Sequence, residues 1–319
     1  MNNPENLPID IDAERAWLKA HKDETGLSWS ELSPKLGIKP GTLSQFPAGT
    51  YAGDNRKIAE QVYRYRQHLM NQAEIAVTMP DRPDYFETPT SRRILSMLSI
   101  AQRGRIVVIA GGPGTSKTMT VKHYKATMPN VWHATMKPST AGVNTMQIKV
   151  LEAMGEHNAR GTPLALSSKI ESIVRNTDGL IIIDEAQHTS EKALEEIRGW
   201  HDETGIGIAL VGNEDVLTRL TLGNKRDAFA RLASRVAQRL IFRGPSAQDA
   251  LALADAWHLD DEPMRQFLVG KAGQPGGLRT LTMIMETAAM FASGEKEALA
   301  LAHLQDAWTH LSFRGGASL

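Results

Sequence analysis

Cysteine is absent from the 319 residues, which excludes disulfides and any thiolate metal site. No apolar run reaches the roughly 18 residues of a membrane-spanning helix, so none is expected. The opening MNNPENLPIDID is polar and acidic, where a secretory signal would need an apolar stretch. Net charge is missing too: 36 Lys and Arg balance 36 Asp and Glu, so composition alone does not announce a nucleic-acid binder. The ten histidines are scattered without close ligand spacing. What charge there is lies unevenly. Residues 80–245 carry 22 basic against 17 acidic side chains and residues 246–319 carry 5 against 9, a central excess compatible with phosphate contact and equally with a solvated surface.

The length predicts two or three domains. The stretch that organises them is Arg105–Thr118, RIVVIAGGPGTSKT. Ile106–Ala110 is a short β-branched strand, and Gly111, Gly112, Pro113, Gly114, Thr115 and Ser116 form a loop of small residues. Lys117 and Thr118 then open a helix. Backbone N–H groups of such a loop can curl round phosphates at the positive end of the helix that follows. Lys117 would reach the β- and γ-phosphates of ATP and Thr118 would ligate Mg²⁺. The pattern ordinarily has glycine before the lysine, and here Ser116 stands there. A positive φ at this position would strain the loop by roughly 1 kcal/mol or more, whereas a negative φ would cost little.

Leu180–Glu185, LIIIDE, is a strand of the fully buried kind ending in two carboxylates. The carboxyl end of a parallel strand is where open α/β sheets bind ligands. Asp184 suits Mg²⁺, directly or through water, and Glu185 suits polarising the attacking water. Strands at 106–110, 131–135, 180–183, 206–211 and 236–242 alternate with helices, which predicts a parallel, doubly wound α/β sheet. Asn213 follows the fourth strand at the same edge as Asp184, either orienting water or simply making a turn. In the C-terminal helices, Arg279 opens a helix predicted over Pro275–Phe291. A cation in a first turn opposes the helix dipole and makes sense beside a phosphate.

Residues 12–76 are predicted helical and separate. WSELSPKLGIKPGTLSQF resembles a helix-turn-helix with Leu32, Leu36, Ile38 and Leu43 as its apolar wedge and Lys39, Thr42, Ser44 and Gln45 outward. Pro34 removes a hydrogen bond inside the first of its helices. The alternative is a small helical bundle that contacts protein. Arg56, Lys57, Arg64 and Arg66 lie along the last helix of this region, where phosphate proximity is expected. Met79–Thr90 carries three prolines and reads as a linker, with a helix from Arg92. Tyr85, Phe86 and Thr88 stand at the entry to the nucleotide region, where an adenine-side contact is expected; the two aromatics would equally serve as packing residues. The domain boundaries expected are 1–78 for the head, 79–93 for the linker, 94–245 for the ATPase core and 246–319 for a helical lid.

With GGPGTSKT, LIIIDE, Gly212-Asn213, Ala233-Ser234-Arg235 and GGLR at 276–279 in this order, residues 80–311 resemble an AAA+ ATPase. The head, YAGDN, Phe86–Thr90 and the run DEAQH, LEEIR, GIGIALVGN extend the resemblance over nearly the whole chain, to the Mu B-like transposition proteins of Mu-like phages. The resemblance implies Walker A roles for Lys117 and Thr118, Walker B roles for Asp184 and Glu185, sensor roles for Asn213 and Arg279, and an arginine finger at Arg235, with Arg231 as substitute. A finger implies a homo-oligomer. It further implies sequence-indifferent binding of double-stranded DNA, a transposase of the A type as partner, and the bacterial host cytoplasm. Segments after the second strand would face DNA through Lys137, Lys149, Arg160 and Lys169. A helicase loader or replication initiator is the alternative, and a regulator with a decayed ATPase is a third reading.

Overall fold

The computed structural model describes residues 9–78, 85–216 and 227–315. The chain divides into two units, Met1–Pro80 and Asp81–Leu319. Residues 79–84 of the expected linker lie outside the described residues.

In the first unit, four helices start and stop where their chemistry dictates. Asp10 caps α1 (Ile11–Thr25) by accepting from the N–H groups of Asp12 and Ala13, and Gly26 ends it in the left-handed conformation. Ser28 and Glu31 form a capping box on α2 (Trp29–Leu36), which Gly37 ends likewise. The six-residue α3 (Pro40–Gln45) and the long α4 (Asn55–Thr78) follow. Leu32, Leu36, Ile38 and Leu43 are buried together with Leu18, Phe46 and Val62, so the predicted wedge forms. Pro34 sits within α2. It is exposed, as is Ser30, the residue whose carbonyl loses a helical hydrogen bond to the proline. Lys39, Ser44 and Gln45 are exposed and Thr42 is half-buried. Two of the basic residues expected near phosphate are engaged within the unit. Arg66 pairs with buried Glu14 at 3.1 Å and lies over Trp17, and Arg56 pairs with Glu60 at 3.6 Å.

The second unit begins with α5 (Pro89–Gln102), three residues ahead of the predicted start. Thr88 is its N-cap, in a capping box with Ser91, and Pro89 occupies the first helical position, where its missing N–H removes nothing. There follow β1 (Ile106–Gly111), α6 (Lys117–Thr127), β2 (Val131–Thr135), α7 (Val143–Ala153), α8 (Pro163–Val174), β3 (Leu180–Asp184), α9 (Glu191–Thr204), β4 (Gly207–Gly212), α10 (Asp227–Arg235) and β5 (Val236–Phe242). The five strands form one parallel sheet in the order β2-β3-β4-β1-β5. β1, β3 and β4 are buried along their whole length, which is why they read as unbroken apolar runs. β5 is an edge strand, exposed from Ala237 to Arg239. Helix α9 packs through Ala193, Leu194, Ile197 and Trp200, a helical spacing in which each large side chain contributes roughly 1.5–3 kcal/mol by burial.

Register brings the functional ends together. Thr135 is opposite Asp184, Ala110 opposite Gly212, and Gly111 opposite Phe242, so the phosphate loop and the carboxylate pair leave the sheet at one edge. The C-terminal helices α11 (Ala247–Ala256), α12 (Glu262–Lys271), α13 (Leu278–Glu295) and α14 (Leu301–Gly315) share their own core around Leu253, Leu268, Leu281, Ile284 and Leu304. α13 starts at Leu278 rather than Pro275 because Gly276 and Gly277 hold φ of 90° and 52°, outside the helical range. Asp249, 1 % exposed, ties these helices to the start of α5: it accepts from the backbone N–H and hydroxyl of Thr90 at 2.9 and 2.7 Å, and from Ser246.

Candidate functional site

A cavity of about 460 Å³ lies over the loop after β1. The loop from Pro113 to Met119 lines it, with Lys122, Glu185 and Arg279 as further polar groups and Tyr85, Phe86, Trp257 and Leu278 as apolar ones. The loop is built against neighbouring backbone. A Cβ on Gly112 would sit 2.2 Å from the Arg243 carbonyl oxygen, and one on Gly114 would sit 1.6 Å from that of Gly276. The Gly114 carbonyl accepts from the Leu278 N–H at 2.9 Å, so the loop and the first turn of α13 are joined main chain to main chain. Ser116 takes φ 61°, ψ 10°. The serine is therefore in the strained case, at roughly 1–2 kcal/mol.

Lys117 lies within this loop, donating to the carbonyl oxygens of Gly111 and Gly112, both at 2.7 Å. Burial pushes its ammonium below the usual lysine range, while the Glu185 and Asp184 carboxylates oppose that and Arg279 adds to it. Asp184 is 1 % exposed. Its Oδ2 accepts from the Thr118 hydroxyl at 3.0 Å and lies 3.3 Å from His133 Nε2, and its Oδ1 accepts from the Glu185 N–H at 3.0 Å. Burial alone would raise its carboxyl; the hydrogen bonds from His133, Thr118 and Glu185, together with the His133 charge, outweigh burial and hold it below the ordinary aspartate value. Glu185 has φ 54°, ψ 40°, a left-handed conformation that non-glycine residues enter mainly where surrounding structure enforces it.

The structure thus brings together Gly111 to Thr118, Asp184, Glu185, Arg279 and Phe86. Thr88 does not line the cavity: it is fully buried and its hydroxyl caps α5. Asn213 does not line it either, because its side chain is engaged with Asp215 at both ends. Arg235 pairs with Asp202 of α9 at 2.6 Å and Arg231 with Glu195 at 3.3 Å. Lys149 pairs with Glu152 at 2.7 Å and Lys169 with Glu156 at 2.6 Å. Arg160 and Lys137 are exposed and carry no ion pair among the described residues. Sequence reasoning missed His133 on β2, Gln187 beside Glu185, and the stack of Tyr85 on His123 at 3.8 Å.

The residues fit a magnesium nucleotide. The glycines form a cradle that a Cβ would fill, Thr118 and Asp184 offer the hydroxyl and carboxylate that Mg²⁺ takes, and the buried Tyr85 hydroxyl, without a hydrogen-bond partner among the described residues, belongs to the cavity wall.

A loop of this form on the interior strand β1, a buried aspartate and a glutamate ending β3, and an arginine from a helical C-terminal region define the AAA+ class of ATPase. Residues 100–220 match the family model for the AAA domain. The Aeropyrum pernix ORC2 protein shares the fold at a TM-score of 0.51, with 16% identity over 68% of this chain and 65% of that one. Residues 234–311 match the model for the Mu B transposition protein, C terminal. The ATP-dependent target DNA activator B of Escherichia phage Mu is 32% identical over 95% of this chain and 96% of its own length. The Mu-like prophage FluMu DNA transposition protein B of Haemophilus influenzae is 32% identical over 83% of this chain and 92% of its own. The chain belongs to the Mu B transposition protein family. Among the described residues no helix is long and apolar enough to cross a membrane.

Proposed function

We propose that this chain is an ATPase that binds double-stranded DNA without sequence preference, assembles on it as a homo-oligomer, and there recruits and activates a transposase of the A type, in the cytoplasm of a bacterial host. The observation that carries the reading is the convergence of Lys117, Thr118, Glu185 and Arg279 on one cavity with Asp184 directly behind Thr118. The phage Mu relative is named an ATP-dependent target DNA activator, and the match covers 95% of this chain and 96% of that one. The alternative, a replication initiator or helicase loader, has in its favour only a fold shared with ORC2.

In this reading the loop N–H groups hold the phosphates, and Lys117 exchanges the carbonyls of Gly111 and Gly112 for phosphate oxygens. Thr118 and Asp184 would hold Mg²⁺, which would supply neutralising charge to the phosphates. Glu185 accepts a hydrogen bond from the attacking water and takes its proton as the new O–P bond forms and the bond from the γ-phosphorus to the β,γ-bridging oxygen breaks, with ADP as the leaving group. Arg279 addresses the terminal phosphate from α13. Arg235 serves the site of a neighbouring protomer. Arg160 and Lys137 contact the DNA backbone, and the first unit acts as a helix-turn-helix through Lys39, Thr42 and Gln45.

Two substitutions test the ATPase assignment. Lys117→Ala abolishes ATP binding in a filter assay. Glu185→Gln binds ATP and retains it on DNA while phosphate release stops. Normal turnover in Glu185→Gln would overturn the assignment.

A further inference from the structure

We propose that Gln187 is a positioning residue for hydrolysis, holding the Glu185 carboxylate at a fixed angle against the end of β4. The inference deepens the ATPase reading of this site and rests on it. The Gln187 Nε2 donates to Glu185 Oε2. At its other end Gln187 Oε1 accepts from the Asn213 N–H at 3.4 Å. A carboxylate only accepts and a backbone N–H only donates, so the group spanning them must donate at one end and accept at the other. A primary amide does this. Glutamate at 187 would set two carboxylates against each other, and lysine could not accept.

The surroundings are shaped for that span. A Cβ on Gly212 would lie 2.3 Å from Gln187 Oε1, so the glycine of the Gly-Asn pair leaves room for this amide. Asn213, the residue whose side chain was expected to face the site, spends its amide on Asp215: its Nδ2 donates to Asp215 Oδ2 and its Oδ1 accepts from the Asp215 N–H, both at 3.0 Å. The side-chain amide that reaches Glu185 from this edge is that of Gln187. Glu185 needs such a support. Its backbone is in the left-handed region, and fixing a glutamate side chain costs rotamer freedom. With one carboxylate oxygen held by Gln187, the other is left to accept from water.

The test uses the full chain with DNA and ATP, reading single-turnover cleavage, KM, nucleotide affinity and thermal midpoint for Gln187→Leu, Gly212→Ala and the double variant. Loss of a hydrogen-bond partner that orients a metal ligand typically lowers activity about 10–100-fold, and the partner that orients the base Glu185 is expected to matter as much. Gln187→Leu is therefore expected to cleave at least 10-fold more slowly, with KM, affinity and midpoint unchanged. Gly212→Ala is expected to show the same defect, and the double variant no more than either. Should Gln187→Leu not fold, Gln187→Met, of the same length, carries the same expectation. Cleavage within twofold of the unsubstituted chain, or defects at 187 and 212 that multiply, would overturn the proposal. Wild-type-like Gln187→Leu beside an inactive Glu185→Gln sinks this inference alone, whereas an active Glu185→Gln sinks the ATPase reading beneath it.

Discussion

The nucleotide cavity and the α9–α10 surface are both rich in charge, yet they spend it differently. Around the cavity, Lys117, Thr118, Glu185 and Arg279 converge on open volume. On the α9–α10 surface, Arg231 and Arg235 are taken up by Glu195 and Asp202, and Arg198 bridges the same two acids. One fold completes the first set by itself. An arginine of the second set can serve another protomer only by leaving its own carboxylate. Exposed pairs of this kind are worth about 0–1 kcal/mol, so the exchange meets little resistance.

The sharpest way to break this comparison is Arg235→Ala. Nucleotide binding should be retained and turnover should fall about 1,000-fold, the lower end for a lost arginine finger. Mixing Arg235→Ala with Glu185→Gln protomers should restore hydrolysis, since each supplies what the other lacks. No restoration in phosphate release would show that the arginine does not act across an interface.

Asp249→Ala probes what holds the cavity's two walls together. It leaves the two buried Thr90 donors without an acceptor, while exposed Ser246 can turn to water, and should cost roughly 3 kcal/mol in denaturant unfolding. Acid should mimic it. Burial raises the Asp249 carboxyl, but the bonds from Thr90 and Ser246 bring it below the ordinary 3.8. Its stabilisation is thus complete above that value and is lost as pH falls through the lower folded-state value. A stability curve of Asp249→Ala with the same acid limb as the parent would sink this.

Arg160 separates unspent from spent cations. Arg160→Glu should weaken DNA binding and lower the slope of affinity against salt by about 1. Lys149→Glu and Lys169→Glu, already paired with acids, should do less. Unchanged affinity and slope in Arg160→Glu would move the DNA path elsewhere, first to the N-terminal unit. The smallest effect belongs to Ser116→Gly, which removes left-handed strain and should raise stability by about 1 kcal/mol, read as a shift of the unfolding midpoint.

The sheet was legible because its interior strands are buried on both faces and leave apolar runs bounded by Gly, Asp and Asn. The loop and the carboxylate pair were legible because phosphate and metal chemistry restrict residue type at fixed spacing. The start of α5 was misread, since Pro89 counted as a linker residue when it also marks a first helical position. His133 gave no signal: one histidine in a strand says nothing until register sets it beside Asp184. The φ of Ser116 depends on the path of the loop, which a side chain does not report. Asn213 was placed at the correct edge, but its rotamer was decided by Asp215, two residues on.

The bond between the Gly114 carbonyl and the Leu278 N–H has a consequence for inheritance. Because it runs main chain to main chain, with glycines at 114, 276 and 277 leaving no room for side chains, no substitution at these glycines can grade its strength. Selection acting on the coupling of loop to lid must work at a distance, through residues such as Asp249 or the packing of α13, or else break the contact outright. Variants with intermediate coupling are accordingly expected to map to the lid's own core rather than to the glycines that touch.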